Sequence, residues 1–233
     1  MTFLEFQTNI YDDLGVTSSD SFYSLAYIKR RINANMKRVA GYFNWPQTED
    51  AVNRDSEANQ EWYNYPENMK QDTIRKLMFN GEYYKKTAYP DYLQYQEDMG
   101  ANATDKIFTD FQNKYFINPK PTADIVAGIS LWGQVIPSDL TTDTGVTPFY
   151  NDPDIEEVIY QLSLADCYKK ARGTMFERGA TMEKEALQKL EIIKKKVMLR
   201  QASYKNKNNN MFEHTELIRK GGRYKRGTFE TCN

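Results

Sequence analysis

Apolar residues fall at helical spacing near both ends of the chain and at strand-like spacing between them. Phe3, Phe6, Ile10 and Leu14 form one face of a short helix over residues 2–14, which Gly15 ends as a C-cap. Ser18, Ser19 and Asp20 offer N-cap oxygens to a second helix running from about Asp20 to Phe43. Its apolar seam reads Phe22, Leu25, Ile32, Met36, Val39 and Phe43, is interrupted once at Lys29, and cannot continue past Pro46. Toward the other end, Asp152-Pro153 is a helix start, with Glu156 and Glu157 complementing the dipole and Ile155, Val158, Ile159, Leu162 and Ala165 as the buried face. Gly173 closes that helix. A last long helix is expected from near Thr181 to about Lys205, with the seam Ala186, Leu190, Ile193, Val197 and Tyr204, followed by a break at Asn206 to Asn210.

Between these ends the period changes. Residues Gln47 to Gln60 are polar and acidic and read as a loop. Trp62, Tyr63 and Tyr65 precede Pro66, and Ile74, Leu77 and Phe79 lead into Asn80-Gly81, a hairpin turn returning through Tyr83, Tyr84 and Thr87. A short helix is expected from Tyr89-Pro90-Asp91 to Met99. Strand-like runs follow at Ile107–Phe111, Tyr115–Ile117 and Ile125–Trp132, with Asn118-Pro119-Lys120-Pro121 as a turn. The expected fold class is α+β: mainly an α-helical bundle of N- and C-terminal helices with a central, small antiparallel β insertion and an extended C-terminal tail. The corresponding regions are residues 1–46, 47–148, 149–205 and 206–233.

Composition narrows the functional classes. Across 233 residues the formal net charge is −1, so the molecule as a whole lacks a nucleic-acid-like bias, whereas residues 205–233 carry seven Lys/Arg against three Glu, a net of +4. Mean hydropathy is −0.76, and no apolar run approaches the length of a membrane span. Glu5, Asp12 and Asp13 interrupt the first fifteen residues, unlike a secretory signal, and Cys167 and Cys232 do not suggest a structural disulfide. A reducing cytoplasm is the expected compartment.

No catalytic constellation emerges from the spacing. His214 is the only histidine and lies among charged residues, where a surface role is the expectation. One histidine and two distant cysteines are too few soft ligands for zinc, and P-loop, dinucleotide and nucleophile-elbow motifs are missing. No cofactor is expected. The carboxylate pairs Asp12/Asp13, Glu49/Asp50, Glu97/Asp98 and Glu156/Glu157 read as solvated faces or helix N-terminal charge. Trp62, Tyr63 and Tyr65 lack neighbouring basic residues in sequence, so they suit sheet packing better than base stacking. The Lys194-Lys195-Lys196 run reads as a solvated helix face.

The order of these pieces resembles the head-to-tail connector (adaptor, or head completion) proteins of tailed bacteriophages. The resemblance is carried by Ile32-Asn33-Ala34-Asn35 with the close at Trp45-Pro46, by Tyr65-Pro66, by Tyr115 to Pro121 before the strand through Trp132, and by Thr147-Pro148 and Asp152-Pro153 opening the helix through Ala171. It covers residues 3 to 205. The resemblance implies a ring of identical subunits, roughly twelve, through which double-stranded viral DNA passes without sequence-specific binding. It implies a portal protein and a tail or further ring protein as partners, no membrane, and a place in the virion neck after assembly in the host bacterial cytoplasm. The tail would then be the portal-docking element, with Met211, Phe212, Leu217 and Ile218 as apolar anchors, Arg219, Lys220, Arg223, Lys225 and Arg226 as charge partners, and Tyr224 among the docking residues. Two rival expectations are a helical nucleic-acid-associated protein using the same tail and a cell-wall hydrolase using two carboxylates.

Overall fold

A computed structural model describes residues 1–219, with side chains described as far as Ala202 except at Ala101. Residues Met1–Leu187 form one compact unit and the chain from Gln188 onward a second. The elements, in chain order, are α1 (Phe3–Leu14), α2 (Leu25–Tyr42), β1 (Glu49–Ser56), β2 (Trp62–Asn64), β3 (Lys76–Phe79), β4 (Glu82–Lys86), α3 (Tyr89–Met99), β5 (Ile107–Phe111), β6 (Lys114–Asn118), β7 (Ile125–Gln134), α4 (Pro153–Lys170) and α5 (Thr174–Arg219).

The helices follow from local chemistry. Thr2 and Glu5 form a reciprocal capping box ahead of α1, and Gly15 ends that helix at φ 65°, a left-handed conformation that costs glycine nothing. The side chain of Asp152 accepts from the Ile155 N–H to start α4, with Pro153 in its first turn. Helix α4 is central, with Ile155, Val158, Ile159, Leu162, Leu164, Ala165, Cys167 and Tyr168 all buried. It packs against α1 and α2, which contribute Phe3, Phe6 and Ile10, and Ile28, Ile32, Met36, Val39 and Ala40. Phe22 and Leu25, expected in the α2 seam, are instead exposed, because the helix starts only at Leu25 and Ile28 supplies the first buried turn.

The expected fold is corrected in two respects. The middle of the chain is not a small insertion in a bundle but a seven-stranded sheet of order β1-β7-β3-β4-β5-β6-β2 with its own core. Every pairing is antiparallel except the short parallel contact of β4 with β5. The segment read as a loop holds β1, the longest strand after β7; with six of its eight residues exposed, it lacks the alternation that betrays a strand. Nor is the tail extended from residue 206: α5 is helical without interruption from Thr174 to Arg219, through the asparagines expected to break it. The Asn80-Gly81 turn is as expected, both residues having positive φ (48° and 79°), which matches the twist of the β3–β4 hairpin.

The sheet interior is built from Leu77, Tyr84, Phe108, Tyr115, Ile117, Ile129 and Leu131. Trp45 follows the end of α2 and leads into β1. Its indole N–H donates to the Val39 carbonyl at 2.7 Å, and its ring meets Phe43 and Phe149 edge-on. Lys70, from the segment before β3, donates to the carbonyls of Ala40 and Phe43 at the end of α2.

Candidate functional site

The sheet curls so that its two edge strands face one space. β1 pairs only with β7, and β2 only with β6, yet Asn53, Arg54 and Asp55 of β1 and Trp62, Tyr63 and Asn64 of β2 line a common groove of about 560 Å³. A second cavity of about 510 Å³ lies between Val52–Arg54 and Asn64–Asn68, and a third of about 650 Å³ borders Gln47–Asp50, Glu67 and Asn68. All three run along β1. The result is a trough along β1 whose far wall is β2 at one end and the segment after it, Tyr65–Asn68, at the other, an open seam in a curled sheet.

Register settles which β1 residues look inward. Val52 packs against the sheet core and pairs with buried Leu131, so Asp50 and Arg54, two residues to either side, share its face. The ladder is regular from Glu49 to Arg54 and shifts only between Arg54 and Ser56. Behind the seam, Tyr115 is fully buried, stacked on Tyr63 at 5.4 Å and met edge-on by Tyr65. Its hydroxyl has no hydrogen-bond partner. Burial drives that phenol well above the usual range, and the Arg54 guanidinium pulls it partly back. Tyr65 is satisfied: its hydroxyl donates to Asp110 at 2.6 Å, and Lys86 reaches the same carboxylate oxygen at 2.8 Å while also donating to the Ile74 carbonyl. Burial and Asp110 together raise the Tyr65 phenol strongly, which makes this trio a locked strut rather than a proton-transfer site.

On the outer face, Trp62 is 43 % exposed and Lys114 from β6 places its ammonium 3.6 Å from the indole centroid. The basic neighbour missing in sequence thus arrives across the sheet. Tyr63 and Tyr65 are core residues, as sheet packing required.

The remaining candidates separate. Among the described residues no group of His, Cys, Asp and Glu is arranged to hold a metal ion. Cys167 is buried in α4, and burial pushes its thiol up to about 12, which disfavours the nucleophilic thiolate. Of the carboxylate pairs, Glu49 pairs with Arg75, Asp13 accepts from Tyr160, and Asp98 accepts from Gln94. Glu156 stands in the first turn of α4, as expected of helix N-terminal charge, but it is 4 % exposed and receives the Thr147 hydroxyl and the Met1 amine, so it is also a buried ion-pair partner rather than a solvated carboxylate. Lys195 and Lys196 are exposed, as a solvated helix face requires.

Of the expected docking residues, Met211, Phe212, Leu217, Ile218 and Arg219 lie on α5. Lys220, Arg223, Tyr224, Lys225 and Arg226 lie outside the described residues, and His214 lies where only the backbone is described. Sequence reasoning missed the seam because its β1 wall is polar. Val52, the only large apolar side chain between Gln47 and Gln60, was the single signal available.

No model of a known protein family matches the chain, and no curated protein is similar to it.

Proposed function

We propose that the protein is a self-assembling structural subunit, a ring adaptor joining the portal vertex to the tail of a tailed phage and lining the DNA path, and not an enzyme. The observation that carries the assembly part is the two-sided character of α5. Ala186, Leu190, Ile193 and Val197 form a buried stripe, while Ile192 and Leu199, seven residues apart on the opposite side, are 55 % and 72 % exposed, with Met198 also exposed. A helix with one apolar stripe buried and a second left in water suits packing against another copy. The placement in a virion neck, with portal and tail proteins as partners, rests on the resemblance in element order. In this reading the end of α5 docks on the portal through Met211, Phe212, Leu217 and Ile218.

The test is the mass of the purified chain, alone and with portal protein, followed by electron microscopy of any large species. A closed ring, or one formed only with portal, is expected, and Ile192→Lys with Leu199→Lys should shift the population to monomer. A wild-type monomer indifferent to portal would overturn the reading. Should that monomer bind duplex DNA with steep salt dependence, the nucleic-acid reading would replace it.

A further inference from the structure

The lining of the groove between β1 and β2 has a particular chemistry. Glu57 and Gln60 complete it, beside the six residues of β1 and β2 named above. Two of the eight lining residues are aromatic, and the other six carry planar amides, carboxylates or a guanidinium; none is aliphatic. Each such planar group offers two or more hydrogen-bonding positions in a fixed arrangement. Much of that capacity is unspent within the chain. Arg54 and Asn64 make no side-chain hydrogen bond or ion pair with another described residue. Asn53 uses only its carbonyl oxygen, on the Ser130 hydroxyl, and Asp55 only Oδ1, on the Ala127 N–H.

A neighbouring cavity of about 460 Å³ shares Gln60 and Trp62 with this groove and adds Asn59 and the ion pair of Glu61 with Lys120. Trp62 thus borders both spaces, with Lys114 fixing its indole from one face and 43 % of the residue exposed. The loop between the strands is preset. The Tyr63 hydroxyl accepts from the Glu57 N–H at 3.2 Å and lies within 3.4 Å of the Gln60 carbonyl. The Ala58 N–H donates to Asp124 at 2.6 Å, and the Asn59 N–H to the Pro121 carbonyl at 2.8 Å. A loop held through its backbone presents Glu57, Asn59 and Gln60 with little ordering left to do on binding.

These features select a ligand class. An apolar ligand would strand the polar lining without partners. A polyanion meets one unpaired cation, Arg54, against two carboxylates, Asp55 and Glu57, so phosphate contacts have no basic track to follow. A sugar ring fits both halves of the lining: its C–H face packs on the electron-rich face of an aromatic ring, and its hydroxyls donate and accept at once. Both spaces fall in the usual range for small-ligand sites, about 300–1,000 Å³. We propose that the groove binds a neutral oligosaccharide, with one unit packed on Trp62 and the adjoining units in the two cavities. The site uses no residue of α5, so this inference and the ring reading can fail separately.

The test is calorimetric titration of the full-length chain with cellohexaose, maltohexaose, mannohexaose and chitohexaose. Saturable binding of at least one is expected. Trp62→Ala should weaken it about tenfold or more, and Trp62→Phe should keep most of it. Circular dichroism checks that both variants fold. Asn64→Ala, which leaves every ring in place, should weaken binding severalfold and keeps the site testable should Trp62→Ala unfold. Tyr83→Ala, at an exposed ring that lines neither cavity, should change nothing. Failure of all four sugars to bind, or binding indifferent to both Trp62→Ala and Asn64→Ala, would overturn the inference. Trp62-dependent binding of heparin or an oligodeoxythymidylate in preference to every sugar would overturn the neutral class and assign the groove to a polyanion.

Discussion

The helical layer and the curled sheet use the same kinds of residues but finish their burial differently. In the helical layer, α4 is buried on most of its circumference between α1 and α2, and the polar groups it carries inward find partners: Asn35 donates to Asp166 at 3.0 Å, and the Ser163 hydroxyl donates to the Ile159 carbonyl at 2.7 Å. In the sheet, a compact aromatic core sits behind one strand, β1, that is nearly all exposed, and behind a phenol with no partner. Each region keeps one buried phenol without a partner, Tyr11 in α1 and Tyr115 in β6, but only the sheet ends at two edge strands. That difference teaches that the sheet, like the exposed stripe of α5, is a place where assembly is to be sought, because an open edge is costly for a protein that remains alone.

The largest expected effect comes from breaking the aromatic cluster that closes the helical layer. Trp45 is fully buried, holds the Val39 carbonyl, and packs on Phe43 and Phe149. Trp45→Ala removes the ring and leaves a cavity beside Phe43 and Phe149, for an expected loss of about 3–5 kcal/mol by chemical denaturation. If the two regions are one cooperative unit, far- and near-ultraviolet signals will shift together. Separate transitions would show that they unfold independently.

Within the helical layer, Gly179 is the sharper probe. A Cβ there would lie 2.7 Å from the Ala165 carbonyl oxygen and 2.9 Å from the Lys169 backbone nitrogen, so α5 crosses α4 backbone to backbone. Gly179→Ala raises helix propensity by about 1 kcal/mol yet forces the helices apart. Overpacking should dominate, with a net loss of about 1–3 kcal/mol in urea unfolding. A stabilised variant would mean that α5 yields easily at this crossing.

The same contrast explains what could be read in advance. Helices were legible because burial on one side writes a period into the sequence, as at Phe3, Phe6 and Ile10, and because Gly15, Asp152 and Gly173 carry boundary chemistry. β3 to β7 were legible from Leu77, Phe108 and Ile129 and from the Asn80-Gly81 turn. β1 was not, because a strand exposed on both faces carries no alternation, and its neighbours in the sheet come from positions 125–134, far along the chain. The C-terminal helix was underestimated at both ends. Gly179 masked its start, although there glycine serves close packing, and the run Asn206–Asn210 suggested an end that the backbone does not show. Of the seam, only the acidic character of Gln47–Gln60 was visible; that Arg54 faces inward toward Tyr115 depends on register.

The smallest expected effect separates surface electrostatics from packing in the helical layer. Glu183 on α5 accepts from Lys169 of α4 at 2.6 Å and from Arg38 of α2 at 2.7 Å, and these two cations hold its carboxyl below the ordinary value of 4.5. A carboxylate whose folded value is depressed contributes its stability above the unfolded value, and that contribution is lost as pH falls through the folded one. Wild type should therefore lose stability as pH drops below about 4.5, and Glu183→Gln should lose correspondingly less over that window. Solvent screening limits the difference at neutral pH to about 1 kcal/mol or less. If thermal unfolding of wild type and Glu183→Gln traced parallel curves from pH 6 to pH 3, the ion pairs would contribute nothing measurable, and the contact of α4 with the start of α5 would rest on the close approach at Gly179 and on the Arg178 guanidinium over the Tyr168 ring.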